Sequence, residues 1–418
     1  MDTLTQRQAP AAMTMADMPI GPDGLIDFRA LAVGLVEDCV NAAMDLAADE
    51  LLGEGNRRNG YRERRLKTVI GEITLRIPKL REGTYFPGEV LRPYSRTDRA
   101  MVGVVAEVYR LGLSTRKIER AAEELGFGGL SPSAVSRMAS ALDEDVASVA
   151  EAEYDQEFPY LWLDATYVDC RDGGRVRGLA VVTAIAAGMD GSRRYVGLGC
   201  VDCESLDSWR EFLRGLRARG VRGVRLVVSD AHAGLRRAVR EVFPGASWQR
   251  CVAHLERDVA ARIRGKAERR AALAALKAVF RETDPATVRA AYDRAAAEVG
   301  RIDRRAGELL EDAREDALCY LAFPAEHRLR IRTNNVQERA NREIKRRTDV
   351  VQVFPSRASL LRLVGAALAD ANDAWARGHF MDAAGMSDLA RDAEAPEPTE
   401  ETLARAEMIV REAMRAAA

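Results

Sequence analysis

Three carboxylates in this chain stand where a carboxylate is costly or oddly placed. Asp230 ends the β-branched run of VRLVVSDAHAGLRRAV, just where a helix is predicted to begin. Asp164 sits inside the apolar segment YLWLDATYVDCR, where strand alternation puts Trp162, Asp164 and Thr166 on one face and Leu161, Leu163 and Ala165 on the other. Desolvating an aspartate on a covered strand is expensive unless a cation balances it. Glu338 lies in IRTNNVQERANREIKRR, on a predicted helix beginning at Thr333. Val336, Ala340 and Ile344 form an apolar stripe on that helix, and Asn334, Glu338, Asn341, Arg342 and Lys345 form the opposite face. Two aspartates joined by a third carboxylate are a donor set for paired hard divalent cations, which support in-line displacement at phosphorus. Each residue also has a plainer role open to it. Asp230 could cap the next helix, Asp164 could lie at a sheet edge or pair with an arginine, and Glu338 could face solvent.

Cys200 and Cys203, followed by Cys251 and His254, have the spacing of a zinc site. The first pair falls on a predicted strand, where burial explains small thiols, so zinc is not expected. His254, beside a strand end, equally suits a hydrogen-bonded structural histidine. Glu204, in CESLDSW, either supports the carboxylates from behind or is the acid that starts a helix.

The elements that must position these groups change in texture along the chain. Residues 1–24, with Pro10, Pro19 and Pro22, read as a flexible arm, and residues 26 to 53 as one amphipathic helix. NGYRERRLKTVIGEITLRIPKL begins with an Asn-Gly turn and continues as two short alternating strands around Gly71, either a surface hairpin or a basic ribbon sized for DNA. In LSTRKIERAAEELGFGGLSPSAVSRMASAL, a helix capped by Ser114, a break at Gly126 to Gly129 and a second helix started by Ser131-Pro132 resemble a helix-turn-helix. Ser133, Ser136 and Arg137 would then face a major groove while Val135, Met138 and Leu142 pack inward, although glycine-joined helices occur in any helical domain.

After Pro159 come three predicted strands, YLWLDATYVDCR, RVRGLAVVTAIAAG and RRYVGLGCVD, an antiparallel meander. A helix over 205–219, with Trp209, Phe212, Leu213 and Leu216 on one stripe, leads to a fourth strand, GVRLVVSD, then a helix and a fifth strand around SWQRC. That order is the order of a ribonuclease-H-like core, an α/β mixed sheet in which the first strand's centre lies beside the end of the fourth. Asp164 and Asp230 would meet there. Residues 253 to about 325 predict three or so helices and no strand, with a stop and restart at Asp284-Pro285. A polar linker with Pro396 and Pro398 precedes a short closing helix.

The expected organisation is therefore an arm (1–24), an α+β DNA-binding region with a basic hairpin and helix-turn-helix (25–150), the first part of the core (151–255), an all-α insertion (256–326), the last part of the core with Glu338 (327–380) and an acidic tail (381–418). At 418 residues the chain is too long for one ordinary domain. Its net charge of −1 hides segregation, because Asn56–Arg81 holds nine Lys or Arg against two Glu, Arg328–Arg347 eight against two, and the segment from Met381 onward nine acids against four bases. Only certain surfaces then suit a polyanion. Six scattered cysteines, no charged-then-apolar leader and no apolar stretch long enough for a bilayer lead to an expectation of a cytoplasmic protein, nucleoid-associated through DNA, with no membrane partner.

VVSDAHAGLRRAVREVFPGASWQRCVAHLERDV, CESLDSWREFLRGLRARGV, TNNVQERANREIKRR and RNGYRERRLKTVIGEITLRIPKLREGTYFP together resemble the Mutator-like transposases of bacterial insertion sequences, over about residues 25 to 380. The resemblance implies a DDE enzyme with a ribonuclease-H-like core, and it lays the acidic triad on Asp164, Asp230 and Glu338. It lays the family's cysteine-two-residues-histidine element on Cys251 and His254; Glu204, Asn334 and Asn341 are further candidates for supporting residues, from their own places in the sequence. It implies two Mg²⁺ ions, or Mn²⁺ in their place, with Asp164 bridging both and each of the others completing one coordination sphere. It also implies strand cleavage followed by attack of a DNA 3′-hydroxyl, with terminal inverted repeats and target DNA as partners and a homodimer or larger assembly. DNA contacts are expected from Arg57, Arg58, Arg62, Arg64, Arg65 and Lys67 of the hairpin. Arg116, Lys117, Ser133, Ser136 and Arg137 of the paired helices would add to them, as would Arg342, Lys345, Arg346 and Arg347 beside Glu338. Two other readings remain open: a nuclease or resolvase on the same core, and a catalytically silent DNA-binding regulator.

Overall fold

The computed structural model describes residues 18–52, 57–81, 83, 85–87, 99–124, 130–376, 378–389 and 398–417. Contacts divide the chain into two compact units, Met1–Ala141 and Leu142–Ala418. Among the described residues no helix is long and apolar enough to cross a membrane.

In the first unit, helix α1 (Phe28–Glu50) is capped by Asp27, which accepts from the amides of Arg29 and Ala30. It lies along the hairpin of β1 (Arg58–Thr68) and β2 (Gly71–Leu80). Met44 packs there with Leu66, Ile73, Leu75 and Ile77. Two polar residues one turn apart, Glu37 and Asn41, close the free edge of β2: Glu37 accepts from the Thr74 amide at 2.7 Å, and Asn41 bonds Thr74 O and the Arg76 amide at 3.0 and 2.8 Å. The chain reverses between Thr68 and Gly71, around Gly71 as expected, but the Asn59-Gly60 that opens the segment is not a separate turn: it lies inside β1 at a register shift between Arg58 and Tyr61, where Gly60 has φ +77°. A left-handed glycine therefore serves a bulge here, and the two strands run longer than expected. Helices α2 (Arg99–Arg110), α3 (Thr115–Glu124) and α4 (Pro132–Ala139) follow. Ser131 caps α4 with Pro132 in its first turn, and Val135 and Met138 are buried. The expected break at Gly126 to Gly129 lies outside the described residues.

In the second unit, helix α5 (Asp143–Ala150) precedes β3 (Tyr160–Asp172), β4 (Arg175–Ala187) and β5 (Arg193–Val201), an antiparallel meander. Helix α6 (Leu206–Ala218), β6 (Leu226–Ser229), helix α7 (Ala233–Val242) and β7 (Ser247–Arg250) complete a sheet of order β5-β4-β3-β6-β7, with β6 and β7 parallel to β3. The sheet is thus mixed. Leu161 and Leu163 face α6 and α7, in a core with Trp209, Leu213, Leu216, Leu235, Val239 and Val242. The alternate residues of β3 face the opposite layer, so Asp164 points away from that core.

Helices α8 (Val252–Arg262), α9 (Lys266–Arg281), α10 (Pro285–Ile302) and α11 (Arg304–Leu318), a 3₁₀ turn (Cys319–Ala322) and α12 (Ala325–Ile331) follow β7, more helices than the three or so expected. Asp284 caps α10 and Pro285 opens it. The layer across the sheet from α6 and α7 is α13 (Asn335–Thr348) and α14 (Arg357–Trp375). The final helix α15 (Glu400–Ala417) is not a loose tail. It buries Ala406 and Val410, and Arg405 bonds Glu282 at 2.7 Å, fastening it to the helical insertion.

Candidate active site

Strand register brings the two aspartates to one place. Trp162 of β3 is paired with Val228 of β6, the last pair of that parallel ladder, and Asp164 and Asp230 each lie two residues further on. Asp164 lies within β3, opposite Thr183 of β4, and Asp230 lies just past the end of β6, so the two stand side by side where the chain passes out of β6. Asp230 does not cap α7, because His232 does so through Nδ1, which accepts from the Leu235 amide at 3.2 Å. Asp164 accepts from the Ala165 amide at 2.9 Å and from Asn341 Nδ2 at 2.6 Å. Burial, then the negative charge of Asp230, push its carboxyl up to about 7 despite the Ala165 amide. Neither aspartate has an arginine or lysine partner among the described residues; the charged neighbour of Asp230 is His254, whose Nδ1 lies against its Oδ1. Burial alone would lower the pKa of His254, but its bonds to Asp230 and Cys251 outweigh that and raise it to about 10.

Helix α13 carries Glu338 to this end of the sheet by an unexpected device. Its inward face is not an apolar stripe but a ladder of amides. Asn334 and Gln337 are fully buried, and Val336 and Ala340 are only half-buried. Asn334 donates to Leu163 O at 3.0 Å and through its backbone to Cys251 Sγ at 3.1 Å; Gln337 donates to Trp162 O at 2.9 Å and to Thr183 O at 3.3 Å. Asn341 completes the row on Asp164. The spacing 334, 337, 341 is the helical core spacing with amides in place of aliphatics. Glu338 then stands one residue around the helix from Gln337, with Oε1 3.9 Å from His254 Nε2 and in contact with the Arg257 guanidinium. His254 thus spans Asp230 and Glu338.

The structure gathers Asp164, Asp230, Glu338, Cys251, His254, Asn334 and Asn341 in one cluster. Glu204 is near enough for its charge to act on Asp164, and its amide faces Tyr167 Oη at 3.5 Å. Gln337 and Arg257 belong to the cluster and escaped the sequence reading. Gln337 was recoverable from the 3-4 spacing of Asn334, Gln337 and Asn341, and Arg257 from standing one turn beyond His254 on α8. The four-residue zinc pattern is not assembled. Among the described residues, Cys251 and His254 find their third metal-type donor in Asp230, not in Cys200 or Cys203.

The candidate DNA-binding residues divide by what already holds them. In the first unit Arg58 is engaged with Asp45 at 2.8 Å and with Asp49, tying β1 to α1. Arg57, Arg62 and Arg65 are exposed and Arg64 and Lys67 half-buried, with Arg65 3.4 Å from Glu72. Arg116, Lys117, Ser133 and Arg137 are exposed and Ser136 is half-buried. In the second unit Arg342 and Lys345 are exposed, but Arg346 is bonded to Glu343, and Arg347 is buried between Glu343 and Asp370. Those two guanidinium groups hold the Glu343 carboxyl down to about 2.

The family model described as "Transposase, Mutator family" matches residues 8–378. The transposase for insertion sequence element IS1081 of Mycobacterium tuberculosis (strain ATCC 25618 / H37Rv) is 41% identical over 355 residues, covering 82% of this chain and 85% of that one. The transposase for ISRM5 of Rhizobium meliloti (strain 1021) is 35% identical, covering 89% and 94%, and that for IS256 in transposon Tn4001 of Staphylococcus aureus is 34% identical, covering 77% and 82%. Among solved structures, the "Drosophila P element transposase strand transfer complex" matches with TM-score 0.28 and 14% identity over 79% of this chain and 93% of that one. The chain belongs to the Mutator family of transposases.

Proposed function

We propose that Asp164, Asp230 and Glu338 hold divalent cations, Mg²⁺ or Mn²⁺, at the end of a ribonuclease-H-like sheet, and that the chain cuts DNA at the ends of an insertion sequence and joins the freed ends to target DNA. The strand order, with three antiparallel strands followed by two parallel to the first, supports that fold. The observation that carries the site is that Asp164 and Asp230 stand side by side where β6 ends, with no arginine or lysine partner among the described residues. Burial, and after it the negative charge of Asp230, hold the Asp164 carboxyl up near 7, and a divalent cation would offset both. The donors are hard oxygens, which suits magnesium.

When bound, the cations would polarise the scissile phosphodiester and sharpen the attacking water or 3′-hydroxyl. The chain's own residues do the rest. Asn341 and the Ala165 amide orient Asp164, and the buried amides of Asn334 and Gln337 fix the height of Glu338 on the sheet. His254 holds Asp230, and Arg257, now on Glu338, is placed to shift to a phosphate. The exposed arginines of β1 and the residues of α3 and α4, in a helix-turn-helix, would recognise terminal inverted repeats, with two copies or more holding both ends. The test is a strand-transfer assay with Mg²⁺ on duplex bearing the inverted repeats that flank the gene. Joined product is expected; cutting without joining would make the protein a nuclease, and binding without cutting a regulator.

A further inference from the structure

Beside Glu338 lies a cavity of about 500 Å³ lined by Arg193, Arg330, Arg339 and Arg342, together with Trp375 and Phe380. Arg193 opens β5, and its guanidinium carbon stands 4.3 Å from the Trp375 ring centroid and 4.2 Å from that of Phe380. Both rings are themselves fixed. Trp375 stacks on Tyr195 at 5.1 Å, Phe380 meets Trp162 edge-on at 5.7 Å, and the Phe380 amide donates to Gly191 O at 2.9 Å. Arg330 lies over the same Phe380 ring at 5.2 Å. A guanidinium clamped between two ring faces keeps its N–H edge free for a planar, bidentate acceptor.

Among the described residues, nothing fills that role. Elsewhere in this unit Arg347, Arg357 and Arg362 each meet a carboxylate. Among the described residues, none of the four cavity arginines has a carboxylate within ion-pair distance. Burial and the nearby charges of Arg339 and Arg330 lower the pKa of Arg193, as expected for like charges gathered without a counterion. An anion entering the cavity would relieve that repulsion, and Glu338, on the same wall, places it next to the carboxylates.

We propose that this cavity is a phosphate subsite, in which Arg193, Arg330, Arg339 and Arg342 grip a backbone phosphate of the DNA strand adjacent to the phosphate attacked at the carboxylates. It rests on the reading of the carboxylates as a strand-cleavage site. A free inorganic phosphate would satisfy the same chemistry, so the test separates the two sources.

Duplexes carrying the flanking inverted repeat are made with one neutral methylphosphonate at each position in turn, and their affinity is measured for wild type and for the double variant Arg330→Ala/Arg339→Ala. Near the cleavage position, one methylphosphonate is expected to cost the wild type about tenfold in affinity and to cost the variant nothing further. The variant should also bind the unmodified duplex with a shallower salt dependence. Losses that add at every position, or a variant that binds the unmodified duplex as tightly as the wild type, would overturn the subsite. So would inorganic phosphate raising the wild-type melting temperature and not the variant's while the DNA losses add, since the cavity would then take the free ion. Arg193→Ala could simply unpack the two rings, so Arg193→Lys serves as the second variant. It keeps the charge, should melt near the wild type, and is expected to lose the same methylphosphonate sensitivity; retention of full sensitivity would remove Arg193 from the proposal. Cleavage with Mg²⁺ is scored on the same duplexes. Its absence in the wild type overturns the activity while the affinity cycle still decides the subsite.

Discussion

The two aspartates and the glutamate reach the same place by opposite means. Asp164 and Asp230 are set by strand register: their neighbours Leu161, Leu163 and Val227 are fully buried, and a shift of one residue would turn the whole apolar set outward. Glu338 is set by hydrogen bonds from Asn334, Gln337 and Asn341 on a helix that contributes little apolar surface to the sheet. Apolar burial is forgiving in direction, whereas an amide bonded to a strand carbonyl fixes height and rotation together.

The comparison breaks first at Asp164. Asp164→Asn is expected to lower strand cleavage by at least about 10²–10³-fold while end binding persists, and loss of both together would remove the division of labour between the two units. The same change has a stability signature. The folded pKa, about 7, is raised above the ordinary aspartate value of 3.8, so this group's contribution is full below the unfolded value and is lost as pH rises through the folded one. Metal-free wild type should therefore lose melting temperature between about pH 4 and 7 relative to Asp164→Asn, and Mg²⁺ should close that gap by stabilising the wild type alone. A thermal-shift series over pH with and without Mg²⁺ reads both.

Gln337→Leu tests the helix side. It keeps the volume and leaves Trp162 O and Thr183 O without their donor, a cost on the order of 3 kcal/mol. Cleavage should fall with Glu338 displaced, and DNA affinity through the first unit should hold; a leucine variant as stable as the wild type would show that α13 is seated by packing after all. Asn341→Ala is milder, since Asp164 keeps the Ala165 amide and loses one donor. A drop of roughly tenfold in cleavage is expected with little change in melting temperature.

That asymmetry also explains which parts could be read from the residues. The five strands and α6 with its Trp209 stripe followed from apolar periodicity, because their placement is an apolar effect, and the meeting of Asp164 with Asp230 was expected from the order of those strands. The buried face of α13 was misassigned because Val336, Ala340 and Ile344 are the apolar residues, while the positions that go inward are Asn334 and Gln337, and only Ile344 is both apolar and buried. Polar groups are buried only when partners wait for them, and those partners are carbonyls of β3 and β4 more than 150 residues away in the chain. The same limit applies to Arg347, whose burial depends on Asp370, and to Arg58, whose partners lie on α1. The hairpin reversal at Gly71 was legible, whereas Asn59-Gly60 has the composition of a turn but falls inside β1, because the ladder that pairs Leu66 with Ile73 in the core runs on past it to Arg58.

The smallest effect concerns the far end of α13, where Glu343 holds Arg346 and Arg347 by ion pairs instead of amides. Its folded pKa, about 2, lies below the ordinary glutamate value of 4.5, so its contribution is present above the unfolded value and is lost as pH falls through the folded one. Glu343→Gln should therefore differ from the wild type at neutral pH by only a few degrees of melting temperature or less, because the carboxylate is largely exposed to solvent and salt. The difference should shrink between about pH 4.5 and 2. Cleavage should be nearly unchanged, since Arg347 keeps Asp370 and the helix keeps its amides at the other end. If Glu343→Gln instead cost as much cleavage as Gln337→Leu, the ion pairs and not the buried amides would be what holds Glu338 over the sheet.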